Sequence, residues 1–481
     1  MSAPGPVHVE RIDGLRWRIR REGPMRVEGI VYADPALLAR MHDEKALEQV
    51  RNVACLPGIV GASLGMPDLH WGYGFPIGGV AAFDPETGVI SPGGVGYDIN
   101  CGVRLLASAQ PAQAVAARRE ALAEALDHEV PSGTGSARDD LVLGEADMDA
   151  VLREGAHWAV ARGWGSQADL EHTEEGGRMA GAQPAEVSAT ARRRGQDQLG
   201  TLGSGNLFLE VDRVAEIYDE AAARALGLVL HGTCVLVHSG SRGLGHQVCT
   251  DFLPQMRASA AAHGIELPDP QLACAPFRSP EAQRYYGAMR AAVNFAFANR
   301  QVIADRVRRA FARVLGPQAR LHQVYDVCHN IAKLERHVVD GVERELLVHR
   351  KGATRAFPPG HPLTPAACRD VGQPVLVPGD MGRYSFVLVG QEGAWRETFG
   401  SCCHGAGRVQ SRTKAQADTR GRNVLRELAA KGIAVRAASR RTVDEEHPGA
   451  YKDVAEVVDV VVRAGLARLV ARLEPICVVK G

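Results

Sequence analysis

Lysine is scarce in this chain: only seven of its 56 basic residues are lysine, which leaves 49 arginines among 481 residues. An excess of charge of either sign is also missing, because Lys+Arg and Asp+Glu are 56 each. That balance argues against a basic nucleic-acid coat, a histone-like tail or an acidic solvating chain. No Gly-Lys dipeptide occurs, so no Walker A loop can form, and no G-x-G-x-x-G marks a Rossmann dinucleotide site. None of the lysines opens a K-x-D-G sequence, and no H-E-x-x-H helix is present. No two of the ten cysteines stand in C-x-x-C spacing, which excludes zinc fingers and thioredoxin-type motifs. No run of about 18 apolar residues is present to span a membrane. The first twenty residues lack the apolar core of a signal peptide, so the chain reads as cytoplasmic and its cysteines as reduced.

What is present is the profile of a folded globule, with 45% hydrophobic and 23% charged residues. A basic extended leader runs to about residue 30, followed by a short helix opened by Asp34-Pro35. Glycine and proline interrupt short apolar runs over 52–107, the pattern of strands joined by tight turns. Helical spacing marks 112–128, 145–162 and, over a long stretch, 281–315. Strands are expected at 228–238, 343–349, 374–378 and 385–390, with a last one ending in Pro-Ile-Cys-Val-Val-Lys480. The segment 166–186 is acidic and aperiodic, a surface loop or lid. No linker divides the chain, so the expectation is a single large domain over 1–481, α/β with α+β character, its mixed sheets flanked by helices.

Four constellations carry chemistry. In Ser91-Pro-Gly-Gly-Val-Gly-Tyr-Asp98-Ile-Asn-Cys101, glycines let the backbone aim a carboxylate and a thiol at one point, suited to a transition metal or to a plain buried turn. His238-Ser-Gly-Ser-Arg242-Gly-Leu-Gly-His246 follows a strand, placing an imidazole and a guanidinium where phosphate could sit; His246 reads as structural. Asp326-Val-Cys-His329-Asn330 sets a polar pair inside an apolar stretch, and such pairs require partners. Gly400-Ser-Cys-Cys-His404-Gly405-Ala406-Gly407-Arg408 surrounds a histidine with small residues, leaving room for a bulky group to meet a nucleophilic imidazole. If 408–412 is helical, Arg408 and Arg412 share a face. Together these point to metal-assisted phosphoryl or nucleotidyl transfer. The arginine excess suits phosphate contacts, but codon or thermal bias explains it as readily.

These residues resemble the RtcB-type RNA ligases. The resemblance rests on Met66-Pro-Asp-Leu-His-Trp-Gly-Tyr-Gly-Phe-Pro-Ile-Gly-Gly, the Asp98–Cys101 stretch and Leu199-Gly-Thr-Leu-Gly-Ser-Gly-Asn206. It continues through the His238 and His329 motifs, Arg350-Lys-Gly-Ala-Thr-Arg, Pro378-Gly-Asp-Met-Gly, His404-Gly-Ala-Gly-Arg and Val-Val-Lys480-Gly. It implies a ligase that uses GTP and Mn2+ to join RNA 3′-phosphate or 2′,3′-cyclic phosphate ends to 5′-hydroxyl ends, as in tRNA splicing or RNA repair. His404 would carry the guanylyl group. Asp98, Cys101, His238 and His329 would be metal ligands. GTP contacts would fall on Asn206, Glu210, Asn330, Pro378, Gly379, Asp380, Met381, Ser385, Gly405, Ala406, Gly407, Tyr451 and Lys480, with Tyr451 stacking on guanine. Arg242, Arg408 and Arg412 would meet RNA phosphates. Implied partners are RNA ends, tRNA halves among them, and an activating protein of the archease type.

One position departs from the family pattern. Where the family carries a metal-binding histidine in Gly-Asn-His-Phe, this chain has Leu207, which cannot coordinate, so one metal site looks whole and a second is doubtful. The departure motivates an alternative, a relative with weakened ligation acting as an RNA-end binder or metal-dependent phosphohydrolase. The active reading further expects a localised positive surface around His404.

Overall fold

A computed structural model describes residues 7–43 and 45–481, so the first six residues of the leader lie outside it. Two large sheets carry the fold. The first has seven strands in the order Val9–Arg11, Arg16–Ile19, Glu28–Tyr32, Ile59–His70, Ile77–Phe83, Val342–Lys351, Asn330–Val339. The leader is thus a sheet edge. The second runs His322–Cys328, Gly102–Ser108, Thr233–Ser239, Phe208–Ile217, Ala467–Lys480, Ser385–Gly390, Pro374–Val377, with Ala434–Ala437 pairing in parallel with Ala467–Lys480. The protein is a single large mixed α/β domain, as composition and patterning indicated.

Helices cover the sheets. The longest, Pro280–Leu315, opens with Pro280 after Ser279, whose hydroxyl accepts from the Ala282 amide, and stops before Gly316 at φ 94°. Its apolar residues surround it on nearly every side, so it runs through the core and not along the surface. Two predicted helices are each broken in two. Residues 112–128 form Ala112–Ala116 and Arg119–Glu129, and 145–162 form Glu145–Glu154 and Ala156–Ala161 about Gly155 at φ 59°. The 52–107 region also contains one short helical turn, Pro92–Val95.

Strand boundaries move where turns intervene. The strand expected at 228–238 is Thr233–Ser239, because residues 229–232 turn, with His231 at φ 61° and the Gly232 amide donating to the Val229 carbonyl at 2.8 Å, and Val229 and Leu230 are half exposed. Asn330–Val339 is a strand the sequence does not announce: Lys333 and Glu335 look solvated in sequence but are buried in ion pairs, and the buried His337 ring meets Glu335 at 3.0 Å. The segment 166–186 holds the helix Gln167–Glu171 and two single 3-10 turns. Its Glu174 is buried, accepting from Lys333 Nζ and from the Cys328 amide, each at 2.8 Å.

Candidate active site

Three strand ends of the second sheet bring cysteine and histidine together. Cys101 precedes the strand Gly102–Ser108, His238 lies in Thr233–Ser239, and His329 follows His322–Cys328. His238 Nε2 lies 3.2 Å from the Cys101 Sγ and 3.3 Å from His329 Nε2. All three residues are buried, and among the described residues they form a cluster of metal-ligating atoms within 4.8 Å of one another. Burial holds both imidazoles well below their ordinary pKa, so they are neutral, and it pushes the thiol up. Neutral imidazole nitrogens and one thiol converging on a point make a donor set that suits a divalent transition metal, which would deprotonate the thiol.

The loops that carry these donors are tied from below. Arg300, on the long helix, is fully buried and uses all five N–H groups. Two reach the Asn100 carbonyl at 2.7 Å and the Ser239 carbonyl at 3.0 Å, one residue from Cys101 and from His238. Another reaches the Asn100 side chain, and the rest hold Asp326, which also accepts from Arg104 Nε at 2.7 Å. The His329 amide donates to the Cys101 carbonyl at 2.9 Å.

Asp98 sits beside this cluster, not in it. Its Oδ1 accepts from the Ser241 amide at 3.0 Å, and burial raises its pKa. The close approach explains Gly240, where an added Cβ would lie 2.3 Å from Asp98 Oδ1. Leu207 is buried and faces Arg242 across Gly203. Arg242 donates to Thr201 Oγ1 at 2.9 Å and Ser136 Oγ at 3.0 Å, and burial lowers its pKa to about 10. Asn330 spans the loops, donating to the Asp98 carbonyl at 3.0 Å and accepting from the Gly352 amide at 3.0 Å.

A cavity opens next to His238 and gathers most of the predicted nucleotide contacts. Asn206, Glu210, Ser385, the 378–381 turn, the 404–408 turn, Arg412, Tyr451 and Lys480 line it, whereas Asp98, Cys101, His329, Asn330 and Arg242 lie outside its lining. His404 stands at its edge, its ring centroid 4.6 Å from that of His329. The side chain that holds it was quoted within a motif but given no role: Asp68, on the strand Ile59–His70. Asp68 Oδ2 accepts from His404 Nδ1 at 2.6 Å and from the His404 amide at 3.1 Å. Because an acceptor carboxylate fixes the proton on Nδ1, Nε2 keeps the ring's lone pair. Gly407, at φ +76°, lets the turn close over Asp68, whose carbonyl oxygen would lie 2.3 Å from an added Cβ.

The basic run 408–422 differs from expectation. The helix begins only at Arg412, so Arg408 is not on it; Arg408 bridges instead to Tyr451. Both arginines nonetheless turn to Glu446, Arg408 at 2.9 Å and Arg412 at 3.9 Å, and Lys480 approaches it at 3.8 Å. Burial alone would raise the Glu446 carboxyl, but Lys480 and Arg408 outweigh it and hold it below its ordinary range. Tyr451 donates its hydroxyl to Glu446, and the Arg408 guanidinium lies 5.1 Å from its ring centroid. The surface near His404 is therefore not simply positive: three cations converge on one buried acid, with Glu210 and Asp380 further along the lining.

A family model described as tRNA-splicing ligase RtcB matches residues 49–481. The tRNA-splicing ligase RtcB of Thermococcus kodakarensis is 55% identical over 479 residues, 99% of each chain. Those of Archaeoglobus fulgidus and Aeropyrum pernix are each 51% identical, over 98% of this chain and 99% of their own. No helix among the described residues is long and apolar enough to cross a membrane.

Proposed function

The chain belongs to the RtcB family, and from that premise we propose that it is an RNA ligase joining 3′-phosphate or 2′,3′-cyclic phosphate ends to 5′-hydroxyl ends with GTP. One observation supports the chemistry above others: a histidine at the edge of a polar cavity, its Nδ1 held by a buried aspartate, beside a metal-capable cluster. His404 Nε2 attacks the α-phosphorus of GTP; an N–P bond forms, the bond to the β-phosphate oxygen breaks and pyrophosphate leaves. Asp68 keeps the ring oriented and stabilises the positive charge the imidazole acquires. An oxygen of the RNA 3′-phosphate, freed by water when the end is cyclic, then attacks the same phosphorus and His404 is released. The 5′-hydroxyl oxygen of the second RNA attacks the activated 3′-phosphorus, GMP departs and the hydroxyl proton is lost.

Cys101, His238 and His329 would hold a divalent metal that neutralises phosphate charge during these transfers; the family resemblance suggests Mn2+, although the ligands would also suit zinc. Lys480, Arg408 and Arg412 offer charge to the triphosphate and to RNA phosphates, Arg412 with 57% of its side chain exposed. Arg242 would meet phosphate at the cluster end, near Asp98. Tyr451 and Glu210 would recognise the base. tRNA halves are the substrate indicated by the relatives' names, in the cytoplasm, with an archease-type protein as activator. A relative with weakened ligation is not favoured, because ligases of this name match the whole chain at about half identity.

Incubation with α-labelled GTP and manganese tests the reading. Acid-labile label should appear on the protein and be absent from His404→Ala. Asp68→Asn should slow labelling by about 10²–10⁴-fold, as loss of an orienting carboxylate does elsewhere. Label that survives His404→Ala would sink the proposal.

A further inference from the structure

The strand Phe208–Ile217 places two acids, not one, at the far end of the cavity. Glu210 and Asp212 are two residues apart and so share a face of the strand. Glu210 lines the cavity, and Asp212 is fully enclosed behind it. Among the described residues no donor reaches either Asp212 oxygen, and its carboxyl lies within hydrogen-bonding reach of Glu210. Across the neighbouring strands Asp212 pairs in register with Cys234 and Pro475, with Cys477 close by, and none of these is a cation. Glu210, by contrast, is faced by Lys480 and Ser385 as well as by Asp380. Two buried carboxylates side by side repel each other, so the pair retains a proton. With no cation near Asp212, that proton belongs on the deeper acid.

We propose that Asp212 is a positioning residue for base selection: as a neutral acid it donates to one oxygen of Glu210 and leaves the other as an anionic acceptor in the cavity. Such an acceptor favours a purine edge that presents N–H donors, as guanine does, over adenine, whose ring nitrogen there is an acceptor. The inference rests on the nucleotide reading given above. Burial pushes both carboxyls above their ordinary range, so the empty pair holds two protons at mildly acidic pH and must release one to accept from guanine. GTP affinity therefore rises with pH until the pair holds one proton.

Calorimetry on the manganese-loaded full chain, in paired buffers of different ionisation heat from pH 6 to 8.5, reads this directly. ATP serves as the control for titration of the triphosphate. GTP binding should release more protons than ATP binding at pH 6, and the excess should vanish at the alkaline end. Asp212→Leu should move the rise in GTP affinity to higher pH and weaken GTP about tenfold at pH 7, with ATP unaffected. Asp212→Asn keeps a donor and should restore the preference for GTP. No excess proton release from the unaltered chain would overturn the proposal, as would an Asp212→Leu protein with the original pH profile and preference. A wild-type chain that binds ATP as tightly as GTP would instead count against the nucleotide reading itself, a failure distinct from one confined to Asp212.

Discussion

The long helix and the cavity beside it bury charge in opposite ways. Beneath the Cys101 and His238 loops, Asp326 accepts from Arg104 and Arg300, and Arg300 has no N–H left over. Beyond it, Lys333 and Arg355 enclose Glu174. Next to the cavity, Cys101, His238 and His329 cluster without an ion pair of that kind, and among the described residues Asp212 lacks a donor. The fold that sets two guanidinium groups against Asp326 leaves Asp212 without a cation. The pairing ties down the loops that carry Cys101 and His238.

The strongest test of that contrast removes one partner on each side. Asp326→Asn leaves two buried guanidinium groups without their anion and should cost about 3–5 kcal/mol of stability, seen as a lower urea midpoint. Cys101→Ser in metal-free protein should stay within about 1 kcal/mol of the parent, because serine keeps a hydroxyl donor where the thiol meets Asp98 and His238. If the cysteine change destabilises as much as the aspartate change, the two regions do not differ as described.

Acid should expose the paired side next. Burial alone would raise the Glu174 carboxyl, but Lys333 and Arg355 prevail and hold it at about 2 against an ordinary 4.5. A depressed carboxylate stabilises the fold fully above 4.5, and that contribution is lost as pH falls from 4.5 towards 2. The shift is worth about 3 kcal/mol. Equilibrium unfolding across that window should lose this much in the parent and distinctly less in Glu174→Gln. Equal slopes would show that Glu174 is not held as its partners imply.

Sequence reading saw the presented groups better than the groups that hold them. Cys101, His238 and His404 stand among glycines, and His329 stands beside Asn330 in an apolar stretch; their residue types suggest metal binding and nucleophilic chemistry. The helix Pro280–Leu315 is legible from its apolar spacing alone, its Ser279 cap being visible only in the structure. Asp68 was not, because its meaning depends on a contact with a residue 336 positions away. Asp212 was hidden in a polar-looking strand, and Lys333, Glu335 and His337 disguised another by being buried in pairs. Arg408 and Arg412 would share a face only if 408–412 were helical, and Ser411 caps the helix between them, its side chain accepting from the Lys414 amide.

The smallest expected effect concerns the boundary of the unpaired cluster. Asp98 lies next to the cluster of Cys101, His238 and His329 but is engaged by Ser241, and Leu207 offers no lone pair near it. Metal analysis after desalting should therefore find one tightly held ion per chain, lost in Cys101→Ser. Leu207→His adds an imidazole in a buried position facing Arg242, across Gly203. That cation opposes a second ion, so the gain should be modest. We expect about tenfold tighter binding of a second manganese, about 1.4 kcal/mol, by titration calorimetry. Two tight ions in the unaltered chain would mean that Asp98 ligates despite Ser241, and would extend the unpaired region to include it. No gain in Leu207→His would place the limit at Arg242, whose charge would then decide how many metals this cluster can hold.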